Sequence, residues 1–238
     1  MSLVAAAVCP HPPLIVPAVA SGAAAELDDL RRACDQAVER LRDARPDEVV
    51  IVGGGDRTGL CDPDRDGSLA GFGVDLGIPL RPARRAGRPG LPLSVTLGAW
   101  LLGRRPPGVP IAAATVDAGA PTRDCAAFGA ALAGRAERVA LLVMGDGSAC
   151  RGVRAPGHDD PRAAPYDKVA AQALAAADVD ALLALDERLS AELLAGGRAA
   201  WQALAGAARA AGGDWTSDLG YEDAPYGVAY FVAFWARS

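Results

Sequence analysis

Four short apolar runs constrain the fold of this chain more than any other feature. They lie within residues 4–8, 48–52, 110–116 and 138–144, where Glu48 and Arg138 lead into the runs and Thr115 is the one polar residue inside. Each is too short for a helix and is closed by Gly, Pro, Asp or His, so each reads as a buried strand. Apolar positions between them recur at helical spacing over 21–44, 93–102 and 122–136. Continuous apolar strands alternating with helices predict an α/β sandwich: a central, largely parallel sheet flanked by helices. No linker or internal repeat divides residues 1–238, so a single domain is expected.

Local chemistry sharpens several elements. In the first helix, Ser21 is the expected N-cap, Glu26, Asp28 and Asp29 fall in the early turns, and Arg40 and Arg42 fall near the end, as the helix dipole favours. Thr122 is the expected N-cap of the helix over 122–136, with Phe128 and Leu132 inside, and Trp100 is expected to pack. Residues 57–92, rich in Gly, Pro, Asp and Arg, predict one strand at 71–76 and otherwise loop, which in a compact domain is often functional. A loop over 152–165 precedes Ala-rich helices at 166–177, 179–195 and 199–211, with Asp178 and Asp180 as cap candidates, and a strand at 226–235 closes the chain.

Composition excludes several classes. The net charge is -5, which argues against nucleic acid and acidic membrane surfaces as partners. Lys168 is the single lysine, so no other position can supply a Schiff base. The five cysteines (Cys9, Cys34, Cys61, Cys125 and Cys150) are scattered, forming neither a disulfide framework nor a CxxC zinc motif. No secretory signal and no apolar stretch of membrane-span length is visible, and a reducing, cytoplasmic location is expected.

Parallel α/β sheets bind ligands beyond the carboxyl ends of their strands. Here those ends carry Cys9-Pro10-His11, Gly53-Gly54-Gly55-Asp56, Asp117-Ala118-Gly119 and Gly145-Asp146-Gly147-Ser148-Ala149-Cys150-Arg151. If the strands run the same way, His11, Asp56, Asp117, Asp146, Ser148 and Arg151 surround one edge. The glycine run matches neither a phosphate-binding loop, which needs a Lys, nor GxGxxG. Gly145-Asp146-Gly147-Ser148 is no nucleophile elbow, because Cys stands at 150 where GxSxG needs Gly. A triad of Ser148, His158 and an Asp is conceivable. An iron site of two His and one carboxylate would draw on His11, on Glu222 or Asp223, and on His158, leaving no histidine as base.

The chain resembles the class III extradiol ring-cleavage dioxygenases, catalytic (B) subunit type, and through them the Memo-like proteins. The resemblance rests on Cys9-Pro10-His11-Pro12-Pro13-Leu14-Ile15-Val16-Pro17, on Val143-Met144-Gly145-Asp146-Gly147-Ser148 with Ala164-Pro165-Tyr166-Asp167 downstream, and on the run from Tyr221-Glu222-Asp223-Ala224-Pro225 to Tyr230. It implies an α/β sandwich around Fe(II) held by two histidines and a glutamate, with a third histidine as acid/base and a catechol-type aromatic as substrate. His11 matches the first metal histidine and Glu222 the glutamate. Where the second metal histidine is expected the sequence has Gly53-Gly54-Gly55-Asp56, leaving Asp56 as the nearest oxygen ligand. Ala149 stands where the Gly-Asp-x-Ser-His motif places the base.

Three functions therefore stand as expectations. The first is Fe(II)-dependent ring cleavage at an altered site, with His11, Asp56 and Glu222 on the metal and His158 as base. The second is a catalytically degenerate binding or assembly protein on the same fold. The third is a hydrolase using Asp146, Ser148 and Arg151. A small aromatic ligand and a homo-oligomer, a dimer by default, complete the expectation.

Overall fold

A computed structural model describes residues 2–81 and 87–238. In chain order the elements are β1 (Ser2–Cys9), α1 (Pro17–Ala20), α2 (Asp28–Asp43), β2 (Glu48–Gly55), β3 (Gly59–Leu60), β4 (Arg65–Ser68), β5 (Gly77–Ile78), β6 (Arg88–Pro89), α3 (Leu93–Arg104), β7 (Ile111–Asp117), α4 (Thr122–Ala133), β8 (Arg138–Met144), α5 (Ala163–Ala176), α6 (Val179–Leu183), α7 (Glu187–Glu192), α8 (Arg198–Ala211), β9 (Trp215–Asp223) and β10 (Tyr230–Arg237). Seven strands form one mixed sheet in the order β3-β7-β2-β8-β1-β10-β9, and β5-β4-β6 form a small second sheet. The four strands expected from the apolar runs are its parallel centre. β10, β9 and β3 add antiparallel margins.

The sheet separates two apolar cores. Leu30, Cys34, Val38 and Leu41 of α2 and Val95, Leu97 and Leu101 of α3 cover one face. Leu132 of α4, Leu174 of α5 and Trp201 and Leu204 of α8 cover the other. Connections that run in opposite directions along the sheet thus lie on opposite faces, as a common crossover hand requires. Trp201 and Trp235 are fully buried, and the Trp201 ring meets Phe231 at 5.9 Å, tilted by 56°. Each fully buried large apolar side chain contributes about 1.5–3 kcal/mol. Among the described residues no helix is long and apolar enough to cross a membrane.

Several local expectations are corrected. Ser21 is not an N-cap: with φ 49 it closes α1, its N–H donating to Pro17 O, and opens a 3-10 segment, Ser21–Leu27, and the next α-helix starts only at Asp28. That segment is pinned by buried Arg31, which donates to the carbonyls of Ile15 and Ala24 and to Asp28. The strand expected at 71–76 is a 3-10 turn, Ala70–Phe72, with the short strands to either side. Residues 82–86 of the stretch read as loop lie outside the described residues. Thr122 is the first residue of α4 rather than its cap, and Glu187 takes both its N–H and its hydroxyl.

The helix expected at 179–195 is two short ones. Asp178 caps the first through Ala181 N, and Asp186 caps the second through Leu189 N. Helix α5 begins at Ala163, inside the expected loop. β9 was not visible in the apolar pattern, because it is an edge strand whose residues alternate between half-buried and exposed. It takes Tyr221, Glu222 and Asp223 into the sheet, and the final strand starts at Tyr230 rather than 226.

Candidate functional site

Strand register builds the carboxyl edge of the sheet. β1 and β8 pair with Cys9 beside Met144, so two residues further on His11 lies beside Asp146. The contact is direct: the His11 backbone N–H donates to Asp146 Oδ1 at 2.7 Å, and His11 Nδ1 stands 3.6 Å from the same oxygen. The antiparallel register of β1 with β10 pairs Val8 with Ala233, and continued past the strand end it sets His11 opposite Tyr230. Tyr230 in turn pairs with Asp223. On the other side Gly53 of β2 pairs with Met144, which carries Gly55 to the level of Asp146, and Gly55 pairs with Asp117. One row therefore crosses the edge as Asp117, Gly55, Asp146, His11, Tyr230 and Asp223.

A backbone loop closes over the middle of the row. The C-terminal turn of α7 holds Leu194 at φ 53, with Ala195 N bonded to Ser190 O. This is the left-handed helix stop that glycine usually fills. The turn delivers Gly196 and Gly197 onto the site. Gly197 N donates to Asp146 O at 2.7 Å, and a Cβ at Gly196 would stand 3.7 Å from His11 Cε1. A Cβ at Gly145 would lie 2.5 Å from Gly197 Cα, so only glycine lets these backbones approach so closely. His11 and Asp146 remain 16% and 17% open, partly enclosed and still reachable. His11 Nδ1 and Trp201 Nε1 are buried with no hydrogen-bond partner among the described residues.

The residues expected as iron ligands are not gathered. Among the described residues no group of three or more His, Cys, Asp or Glu side chains is placed to hold a metal ion. Asp56 is exposed and lines a separate groove of about 440 Å³ with Arg57, Cys61, Asp62, Arg65 and Thr115, toward the β3 and β7 margin. Glu222 is exposed and pairs with Phe231, so it projects to the opposite side of the sheet from Tyr230. Asp223 shares the row, yet it is two strands from β1, about 10 Å at ordinary strand spacing. Its carboxylate accepts from Ala224 N. Ligands to one metal lie about 2.0–2.2 Å from it, so His11, Asp56 and Glu222 do not fit an Fe(II) centre in this arrangement.

The acid/base and nucleophile candidates disperse as well. His158 is 74% exposed and stands 3.7 Å from Asp160 Oδ2 on the outer loop. Asp160 itself is held down to about 2, chiefly by its hydrogen bonds with Arg162. Ala149 is fixed by its backbone, its N–H to Leu193 O and its carbonyl accepting from Gly157. Ser148 is fully buried, and its hydroxyl donates to Asp167 Oδ2 at 2.6 Å. Its N–H donates to Asp167 Oδ1, and Arg151 reaches Oδ2 at 3.3 Å. Burial pushes the Asp167 carboxyl up, against the pull of these donors. The group is a structural clasp tying the β8 loop to α5, not an exposed nucleophile with a base. Asp117 accepts from Gly119 N and closes its own turn.

Two parts of the site carry little signal in the sequence. Tyr230 lies inside the Tyr221–Tyr230 stretch that carries the family resemblance, but as one aromatic in an apolar strand it has no distinguishing sign. Gly196-Gly197 falls in the gap between two expected helices, and paired glycines at a helix break were the available signal.

No family model matches the sequence, and no curated protein matches it. Among solved structures the chain is similar to the crystal structure of an uncharacterized protein, JW3007, from Escherichia coli K12. The TM-score is 0.57, with 98% of this chain and 99% of that chain covered at 16% identity. Likeness at that identity establishes the fold and carries nothing about activity.

Proposed function

We propose that this chain is an iron-free binding protein on a class III extradiol dioxygenase-like scaffold, taking a small aromatic ligand in the crevice around His11, Asp146 and Tyr230. One observation carries the reading. Of the residues that would replace the missing metal histidine and supply the glutamate, Asp56 lines a separate groove and Glu222 lies on the sheet face opposite Tyr230, while His11 and Asp146 stay together and partly open. The position expected to hold the base is alanine, and acid/base catalysis is typically worth about 10²–10⁴-fold. The buried Ser148 clasp likewise weighs against the hydrolase reading.

The test is metal content and oxygen consumption together. Untagged protein is incubated anaerobically with Fe(II), analysed for bound iron, then exposed to oxygen with catechol. The expected result is no stoichiometric iron and no catechol-dependent uptake. A thermal shift with simple phenols is also expected: a ligand at a hundredfold excess over its Kd stabilises by about 2.7 kcal/mol, or about 5–10 °C for a domain of this size. Stoichiometric iron that His11→Ala removes, with oxygen uptake on catechol, overturns the proposal in favour of ring cleavage.

A further inference from the structure

The polar groups of this crevice differ in what they still lack. Asp146 Oδ1 takes the His11 N–H and stands 3.6 Å from His11 Nδ1, and among the described residues no residue other than His11 bonds to or pairs with the carboxylate. No lysine or arginine among the described residues reaches it. Tyr230 is 3% exposed, and its hydroxyl makes no hydrogen bond among the described residues. Gly147 N donates to Ala229 O at 2.7 Å, tying the residue after Asp146 to the residue before Tyr230, and burial, followed by the negative charge of Asp146, pushes the Tyr230 hydroxyl above its usual range.

The surroundings are acidic and aromatic. Tyr221 pairs with Val232 and so shares a sheet face with Tyr230, while Tyr226 lies in the turn between the two strands and donates to Glu26 at 2.9 Å. Asp223 ends the row. The cation close by, Arg31, is committed to two carbonyls and to Asp28. A molecule that covers Asp146 removes water from a carboxylate that no described lysine or arginine neutralises, so donors of its own would compensate the loss. Charged donors compensate best, and tyrosine faces favour a cation further.

We infer that the crevice selects ligands bearing a protonated amine, with the ammonium group set between the Asp146 carboxylate and the Tyr230 phenol. This rests on the aromatic-binding reading above and adds the charge of the ligand to it. An ammonium has three donors and no acceptor, which suits a carboxylate with a free oxygen and a phenol oxygen without a partner. A neutral ligand of the same shape leaves the carboxylate desolvated, and an anionic one adds repulsion.

The experiment compares three ligands by isothermal titration calorimetry on the whole chain: tyramine, 4-propylphenol, which is nearly isosteric but lacks the charge, and 3-(4-hydroxyphenyl)propanoate. Tyramine is expected to bind about tenfold or more tighter than 4-propylphenol, the scale of a charge-assisted hydrogen bond, with the propanoate weakest. Asp146→Asn, which keeps an acceptor for the His11 N–H, should reduce the preference for tyramine over 4-propylphenol to about twofold or less. Asp223→Asn, one strand beyond Tyr230, should leave the preference intact and so separates a local contact from a general negative field. Equal binding of tyramine and 4-propylphenol by the wild type refutes the inference but leaves the aromatic pocket standing. A preference that survives Asp146→Asn refutes it too. Failure of all three ligands to bind brings down the aromatic reading itself.

Discussion

The junction of α4 and α8 yields a prediction in which two physical effects have opposite signs. Gly129 of α4 lies against the α8 backbone, and Gly206 of α8 lies against that of α4. A Cβ at Gly129 would fall 1.8 Å from the carbonyl oxygen of Ala203, and one at Gly206 would fall 2.1 Å from that of Ala126. Both glycines are mid-helix, where alanine is intrinsically better by about 1 kcal/mol. Helix propensity alone therefore predicts that Gly129→Ala stabilises the protein. The contact predicts the reverse, because the obstacle is backbone. The helices must part by more than an ångström before the new methyl group is tolerated, loosening Leu132 and Leu204 in the core between them.

Overpacking that side chains can absorb costs about 1–3 kcal/mol. A clash with a backbone carbonyl stands at or above the top of that range, so a net loss of about 2 kcal/mol or more is expected after the propensity gain. With a urea m-value of about 2–3 kcal/mol/M, the unfolding midpoint should fall by roughly 1 M, with Gly206→Ala behaving alike. An unchanged or raised midpoint with an unchanged m-value would show that the two helices are not packed as closely as described here.

Two further predictions bear on the groups around the site. Ser148→Ala should destabilise the fold by about 1–3 kcal/mol, because buried Asp167 loses the hydroxyl that satisfies Oδ2; an ester hydrolase activity that the wild type shows and the mutant lacks would contradict the structural role. Asp160, held down to about 2 mainly by hydrogen bonding with Arg162, is a carboxylate whose folded pKa lies below its unfolded one. Its contribution is thus present above about pH 4 and is lost as pH falls toward 2. Asp160→Asn should flatten the acid limb of stability in that window, and an acid unfolding curve of unchanged slope there would count against the ion pair.

The sequence was most legible where the signal is local. Residues 138–144 predict a strand and form β8 over those same residues, because an unbroken apolar run has one favourable environment, a sheet covered on both faces. The charges of α2 also fall as expected, Asp28 and Asp29 in its first turn and Arg40 and Arg42 in its last. Legibility failed where partners are remote. β9 has the half-exposed alternation of an edge strand, and its charged residues hide it from an apolar search. Ser21 looks like a cap, yet Arg31, ten residues on, holds the segment after it in a tighter helix.

For the site, the sequence by itself determined which side chains stand near the carboxyl edge of the sheet. His11, Asp56, Asp117 and Asp146 each follow a parallel strand, and strand direction alone brings them to one edge. Tertiary structure decided which of them meet. Strand order set Asp146 beside His11 and Asp117 three strands away from it, and pairing with β10 brought in Tyr230 from the far end of the chain. Side-chain alternation sent Glu222 to one face and Asp223 to the other. Packing against α5 turned Ser148 inward onto Asp167. The division has a simple cause. Strand formation is governed by neighbours a few residues apart, whereas a site needs order, register and facing across the whole sheet, and these are fixed only when the two cores close on it.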